Sequence, residues 1–150
     1  MNEVGRVMAL SVGQRRGEGK ARVDFAYLQS GYGLVGDAHA GPGAMQVSLV
    51  AMEDVEEVNR TYGLEAGPGD FAANIAVAGL NLAALPLGSQ LRLGQAKVEV
   101  AQIGKDRNLA HDFSFRGISL LVDKGVFCRV LSSGWVRVGD RAEVLSPSEY

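Results

Sequence analysis

Basic side chains in the second half of the chain could hold an anion. They are Lys105, Arg107, Arg116, Lys124 and Arg129. Arginine offers paired N–H donors to a phosphate and lysine offers a point charge, so a rim of such residues would suit a phosphate group. The alternative is a set of solvated surface charges, because the sequence does not show whether these side chains converge. Both interpretations stay open at this point.

A histidine in a Gly-Asp turn could supply a hydrogen-bond donor or a titratable group. The turn reads Gly36-Asp37-Ala38-His39-Ala40-Gly41. His39 would titrate near neutral pH if it lined a pocket, and Asp37 could lie beside it. Alternatively, Asp37 caps the turn and His39 bonds buried backbone groups, since a glycine-flanked loop needs such local bonding. Asn74 and Ser48 are further candidate polar liners, although such residues more often serve turns and strands.

The cysteine and histidine content limits the available metal and redox chemistry. Cys128 is the single cysteine, and there are 2 histidines. One cysteine excludes an internal disulfide, and two histidines without paired cysteines lack the ligand spacing of a structural zinc site. His111 and Asp112 lie in a phenylalanine-containing segment that we expect to cover the mouth of the fold. Any metal ligand is unknown from the sequence.

Length and composition are typical of one globular domain, which we expect to span residues 1–150. The chain has 20 glycines and a formal net charge of −2. Because no large basic field exists to attract a duplex, we expect no nucleic-acid partner. The N-terminus lacks a basic-then-apolar leader, and no apolar run nears the roughly 18 residues that span a bilayer. We therefore expect a cytoplasmic protein with no membrane partner.

Alternating or apolar segments between glycine-rich turns predict a series of strands. A basic loop over residues 14–20 should join the first two, and its Arg15, Arg16 and Lys20 could touch an anion, although such a tip is more often solvated. The predicted strands are Arg6–Val12, Ala21–Tyr27, Val47–Val50, Asn74–Val77, Gln90–Leu93 and Lys97–Ile103, with Trp135–Val138 and Arg141–Leu145 as a closing hairpin.

Two helical segments are predicted between these strands. Met52–Tyr62 should be a helix that ends at Gly63, and Gly125–Leu131 should be a short helix. The shared face of the first helix comprises Met52, Val55, Val58, Asn59 and Tyr62. Many short strands with few peripheral helices favour a mainly β fold, a closed antiparallel barrel, because closure removes exposed sheet edges.

Several motifs follow one another in a fixed order along most of the chain. They are Gly36–Gly41 with Gln46–Leu49, Gly67–Phe71 with Asn74, Leu85–Gly88, Leu91–Gly94, Gly104-Lys105 and Gly139-Asp140. Together they resemble the MOSC family, the C-terminal domain of molybdenum cofactor sulfurase. A single Gly-Asp pair says little, but this many ordered matches are hard to obtain by chance. The resemblance implies a MOSC-type antiparallel β-barrel with a few short peripheral helices.

The same resemblance implies a pocket that handles the molybdenum cofactor, by holding molybdopterin or by passing sulfur to its metal. Some relatives carry out oxygen-atom chemistry. The family has a cysteine soon after the Gly-Lys pair, because a soft thiolate can ligate molybdenum and carry a persulfide sulfur. Arg107 stands in that place here, and a guanidinium can do neither. Met45 and Ala73 also replace a basic and an acidic family residue, which indicates a remodelled site.

We therefore expect a module that binds molybdopterin or a related anionic pterin. The expected contacts are His39, Asn74, Lys105, Arg107, Arg116 and Arg129. An enzyme alternative makes Cys128 a relocated sulfur carrier or molybdenum ligand, and implies as partners a pyridoxal-phosphate-dependent cysteine desulfurase or a molybdoenzyme. A lone cysteine in an apolar segment is more often buried and inert. A third alternative is a degenerate interaction barrel, whose pocket Met45 and Arg107 would fill.

Overall fold

The computed structural model describes residues 2–106 and 114–150, and these residues are mainly β-strands. The strands in these ranges are β1 (Val4–Val12), β2 (Ala21–Val23), β3 (Phe25–Gln29), β4 (Gly33–Leu34), β5 (Val47–Ala51), β6 (Ile75–Ala78), β7 (Gln90–Leu93), β8 (Ala96–Ile103), β9 (Val126–Ser132), β10 (Gly134–Arg137) and β11 (Arg141–Val144). The α-helices in the same ranges are α1 (Met52–Tyr62) and α2 (Leu120–Lys124).

Within the described residues, seven strands close into a barrel in the order β11-β7-β8-β9-β5-β6-β1, and β1 pairs again with β11. Neighbouring strands run antiparallel except β5 and β6, which pair in parallel with Leu49 opposite Ile75. The parallel pair arises because α1 carries the chain from the end of β5 back to the start of β6. The predicted mainly β barrel is confirmed, and its sheet is mixed.

Aliphatic side chains fill the barrel from alternate positions along each strand. Leu49, Ile75 and Val98 are completely buried there. The next position along β5 faces outward, and its Val50 packs against Val55 of α1. Because the helices cover this side of the barrel, β5 is buried on both faces, and its residues are apolar except Ser48.

A second, three-stranded sheet with the order β10-β3-β4 changes two of the predicted elements. The expected strand Ala21–Tyr27 divides at Asp24, so β2 pairs with β1 while β3 joins the small sheet. The expected closing hairpin is wrong, because β10 pairs with β3 and β11 pairs with β1 and β7. The turn between them bonds to β1 instead, through Gly139 N–H to the Val7 oxygen at 2.7 Å and Val7 N–H to the Asp140 oxygen at 2.8 Å.

The bounds of α1 agree with the prediction, and Gly63 ends it in the left-handed conformation with φ of 65°. Tyr62 was expected on the buried face but is 62% exposed. Asn59 lies inward in the last turns, because its side-chain amide donates to and accepts from the backbone of Ala66. Among the described residues, no helix has the length and apolar character needed to cross a bilayer.

The predicted helix Gly125–Leu131 is wrong, because this segment is strand β9 and α2 ends immediately before it. Val126 and Cys128 point into the barrel, whereas Phe127 between them packs on the outer side with the helices. Apolar residues on both faces hide the period of two that would have identified a strand.

Candidate functional site

Asp37 holds two loops together at one end of the barrel. Its Oδ1 accepts hydrogen bonds from Lys20 Nζ at 2.7 Å and from Gly13 N–H at 2.9 Å, both on the β1–β2 loop. Its Oδ2 accepts from His39 N–H at 3.0 Å, within its own turn after β4. Burial opposes ionisation of the carboxyl, but the neighbouring His39 side chain, the Lys20 ammonium and the Gly13 N–H outweigh it and hold the pKa of Asp37 well below its usual range. Asp37 is therefore a structural anion.

His39 is fixed by the same cluster. Lys20 Nζ lies 3.1 Å from His39 Nδ1, and the Lys20 side chain is only 1% exposed. The imidazole is 39% exposed, and its outer part lines a cavity beside the loops. The two predicted alternatives therefore apply to different residues. Asp37 is enclosed and serves the turn, whereas His39 reaches a cavity.

Arg16 joins the two loops from the solvent side. Its Nε donates to the Ala38 oxygen at 3.4 Å, next to the backbone bond from Ala38 N–H to the Gly13 oxygen at 2.7 Å. The guanidinium lines the same cavity as His39. The basic loop tip therefore lies against the histidine turn, while its neighbour Arg15 is exposed and is not among the cavity residues.

Lys105 reaches the cavity from the opposite side, from the segment that follows β8. Its backbone N–H donates to the Val122 oxygen at 2.9 Å, which anchors the segment to α2. Its Nζ lies 5.2 Å from the centroid of the Phe127 ring, within the range of a cation–π contact. Since Phe127 is on β9 and faces outward, the ring supports both the lysine and the cavity wall.

The cavity has a volume of about 210 Å³ and two chemically different parts. Arg16, His39, Lys105 and Ser48 supply its polar groups. Its apolar walls are formed by Met45, Phe71, Leu121, Val122 and Phe127. Among the described residues that line it, none is acidic. An enclosure with three nitrogen-bearing side chains and aromatic walls is suited to an anion attached to a flat ring.

Ser48 and Asn74 form a buried polar pair beneath the cavity. Asn74 Oδ1 accepts from Ser48 N–H at 3.0 Å, and Asn74 Nδ2 donates to the Ser11 oxygen at 3.1 Å. The Ser48 hydroxyl accepts from Asn74 N–H at 3.0 Å and lies within hydrogen-bond distance of Asn74 Oδ1 and the Ala72 oxygen. Asn74 is 1% exposed, so it positions the cavity floor and does not line the cavity.

Comparison with known proteins identifies the family. The MOSC domain model matches residues 36–143, which is most of the chain. The chain belongs to the MOSC domain family. The matched range contains the His39 turn, Ser48, Phe71 and Lys105, and thus most of the cavity wall.

Solved structures share this MOSC fold at low sequence identity. The YuaD protein from Bacillus subtilis superposes with a TM-score of 0.74 at 21% identity, over 96% of this chain and 97% of that one. YiiM from Geobacillus stearothermophilus gives a TM-score of 0.72 at 18% identity, over 95% of this chain and 75% of that one. YiiM from Escherichia coli gives 0.61 at 20% identity, over 94% and 70%. No curated protein matches the chain.

The other basic residues expected at the MOSC site do not meet at this cavity. Arg116 borders a separate groove with Glu65 and Asp70. Arg129 is exposed on β9, with its NH1 3.5 Å from Glu99 Oε1. Lys124 lies at the end of α2 in a further groove. Arg107 lies outside the described residues, as do His111 and Asp112.

Cys128 lies inside the MOSC barrel and not at the cavity. Its side chain is completely buried among aliphatic residues. Burial, with a smaller contribution from the negative charge of Glu99, raises the pKa of the Cys128 thiol to about 12. A nucleophilic or metal-ligating cysteine requires an accessible thiolate, so the enzyme hypothesis requires the barrel to open.

The sequence did not identify Phe71 and Phe127 as cavity walls. For Arg16 it favoured a solvated loop tip over a contact with an anion. The glycine-rich basic loop was a usable signal for Arg16. For Phe127 the sequence predicts a helix, whereas the outward direction of the ring follows from strand β9.

Proposed function

We propose that this MOSC domain binds the molybdenum cofactor, or a related anionic pterin, in the cavity between the β1–β2 loop, the His39 turn and Lys105. One observation carries the proposal. Arg16, His39 and Lys105 come from three separate segments and converge on one cavity that, among its described lining residues, contains no carboxylate. Such a set attracts a phosphate, and nothing in the described lining repels one.

The residues present fit the organic part of the cofactor. Arg16 and Lys105 would hold its phosphate, and Phe71 and Phe127 offer aromatic surface to the pterin ring. The bound cofactor would supply a redox-active metal. The protein offers that metal no thiolate at the cavity, because the single cysteine is Cys128 and lies inside the barrel. The proposal is therefore one of binding and cofactor handling.

The cavity also bears on the alternative of a degenerate barrel. That alternative expected Met45 and Arg107 to fill the pocket. Met45 lines the cavity and is 37% exposed, and a volume of about 210 Å³ remains beside it among the described residues. Met45 therefore does not fill the pocket by itself, and the part of the alternative that concerns Arg107 lies outside the described residues. The single-domain organisation over residues 1–150, the cytoplasmic location and the partner proteins stay predictions.

The test uses protein purified from a host that makes molybdenum cofactor. Metal content is measured by mass spectrometry, and the pterin released on denaturation is measured by its fluorescence after oxidation. We expect stoichiometric pterin in the wild type and in Arg15→Ala, and a clear loss in Arg16→Ala and Lys105→Ala. Arg15 is the matched control, since it has the same charge one residue away and does not line the cavity.

Two outcomes would contradict the proposal. The first is the absence of pterin from protein made in a demonstrably loaded host. The second is an equal loss in Arg15→Ala and Arg16→Ala, which would indicate general charge attraction and not a site. The sulfur-transfer hypothesis is tested separately with Cys128→Ser, because unchanged sulfur loading in that variant would exclude Cys128 as the carrier.

A further inference from the structure

The Lys20–Asp37–His39 cluster determines which nitrogen of His39 carries a proton. Lys20 Nζ approaches His39 Nδ1 to 3.1 Å. An ammonium group has only donors, so Nδ1 must accept from it. In a neutral imidazole with an accepting Nδ1, the proton is on Nε2.

The carboxylate does not reverse this assignment. Asp37 Oδ1 already accepts from Lys20 Nζ and Gly13 N–H, and Oδ2 accepts from His39 N–H. The distance from Oδ2 to His39 Nδ1 is 3.7 Å, beyond hydrogen-bond length. In a catalytic Asp-His pair the carboxylate accepts from Nδ1–H and leaves Nε2 as a base. Here Lys20 takes the place of the carboxylate beside Nδ1, and Nε2, which faces the cavity, becomes a donor.

We propose that Lys20 is a positioning residue that keeps His39 as an Nε2–H donor, so that the cavity takes the fully deprotonated oxyanion end of its ligand. Lys20 and Asp37 are enclosed, with side chains 1% and 0% exposed, and act only through His39. The described charged groups that line the cavity are the cations Arg16 and Lys105. All three nitrogen-bearing side chains at the cavity therefore present donors.

A cavity whose polar side chains are hydrogen-bond donors selects its ligand by the protonation state of the ligand. A phosphate monoester dianion or sulfate brings only acceptor oxygens, whereas a protonated oxyanion, such as hydrogen phosphate, brings an O–H that needs an acceptor. Asp37 is enclosed, and the Ser48 hydroxyl is engaged with Asn74 and Ala72. An O–H without a partner in the site loses affinity, which favours the fully deprotonated form. A volume of about 210 Å³ suits one end of a larger ligand.

The ligand part of this inference rests on the proposed function, but the state of His39 does not. The tautomer is measured first, by nitrogen NMR of protein with labelled histidine, and His111→Gln assigns the His39 signals because the chain has 2 histidines. In mildly alkaline solution we expect an unprotonated Nδ1 and a protonated Nε2. A protonated Nδ1 in the wild type would overturn the inference.

The matched variant is Lys20→Met with Asp37→Asn, which removes both charges together and leaves no unpaired buried ion. We expect the proton of His39 to shift toward Nδ1 in this variant, and an unchanged tautomer would show that Lys20 does not set it. The wild-type spectrum decides the tautomer even if this variant does not fold.

Binding is then measured by calorimetry in mildly alkaline solution with sulfate, methyl phosphate and inorganic phosphate as probes. All three are dianions there, but only inorganic phosphate keeps an O–H. We expect sulfate and methyl phosphate to bind more tightly than inorganic phosphate, and the double variant and His39→Phe to lose about tenfold or more in sulfate affinity, the usual effect of losing a hydrogen bond to a charged group. Arg15→Ala should bind like the wild type. Inorganic phosphate binding as tightly as sulfate would overturn the selectivity. Pterin copurification without binding of sulfate or methyl phosphate would overturn this inference and leave the proposed function standing, whereas binding of these two anions without pterin would do the reverse.

Discussion

The buried Lys20–Asp37 pair makes a quantitative stability prediction. Lys20→Met removes the ammonium and leaves the Asp37 carboxylate enclosed, with its side chain 0% exposed and, among the described residues, the Gly13 and His39 N–H groups as its remaining hydrogen-bond donors. Breaking a buried ion pair by removing one partner costs about 3–5 kcal/mol, because the remaining charge is left uncompensated. For a chain of this size each kcal/mol corresponds to about 2–4 °C in Tm, so the expected loss is roughly 6–20 °C.

The double variant Lys20→Met with Asp37→Asn should recover most of that loss. It buries no charge, and the Asn oxygen still accepts from a backbone N–H, so the penalty of an unpaired ion disappears. Urea unfolding, followed by circular dichroism and by the fluorescence of the single tryptophan, Trp135, measures both. Lys124→Met is the control, since Lys124 is exposed and its loss should change stability by less than about 0.5 kcal/mol.

Two results would refute this reasoning. One is a loss below about 1 kcal/mol in Lys20→Met, which would mean that the carboxylate is hydrated or neutralised without the lysine. The other is a double variant no more stable than the single one, which would mean that the lost methylene packing, and not the unpaired charge, causes the effect.

Three further predictions concern acid, thiol chemistry and backbone space. The folded-state pKa of Asp37 is depressed, so the stability that its carboxylate contributes is complete above the unfolded pKa near 3.9 and is lost as the pH falls below that value. Asp37→Asn should therefore show a shallower fall of Tm in acid than the wild type. Parallel curves of Tm against pH would exclude Asp37 as the source of the acid sensitivity. Cys128, with its pKa raised to about 12, should resist a thiol reagent in the native protein and react at the rate of unfolding, whereas rapid native labelling would contradict its burial. Gly33→Ala should lose about 3 kcal/mol or more, because φ is 125° and a Cβ would collide with the backbone oxygen of Gln46, while Gly31→Ala, also at positive φ but with open space around it, should lose about 1 kcal/mol. Equal losses in urea unfolding would remove the steric explanation.

The strands whose two faces differ were predictable from the sequence. Lys97–Ile103 is predicted as a strand, and β8 lies over nearly the same residues, with buried and half-buried positions alternating as far as Val100. Met52–Tyr62 has a helical period and a glycine stop, and α1 has the same bounds. In contrast, β9 buries apolar residues on both faces, such as Phe127 and Cys128, so the period of its sequence is ambiguous and the prediction of a helix over Gly125–Leu131 is wrong.

Which strands pair was not predictable in the same way. Trp135–Val138 and Arg141–Leu145 are joined by a Gly-Asp turn that is typical of a hairpin. The turn bonds to Val7 instead and sends the two strands to different sheets. Pairing depends on which backbone edge is available nearby, and this information lies in distant parts of the chain.

The candidate site shows the same division. The sequence alone determined the residue types, the single cysteine, the ordered glycine motifs of a MOSC barrel and the presence of a basic loop at residues 14–20, because these depend on composition and local spacing. Only the tertiary structure decided that Arg16 and Lys105 meet His39 at one cavity, that Arg116 and Arg129 do not, and that Cys128 is enclosed. Convergence and burial are long-range properties: they arise when the barrel closes and brings together loops that lie far apart along the chain.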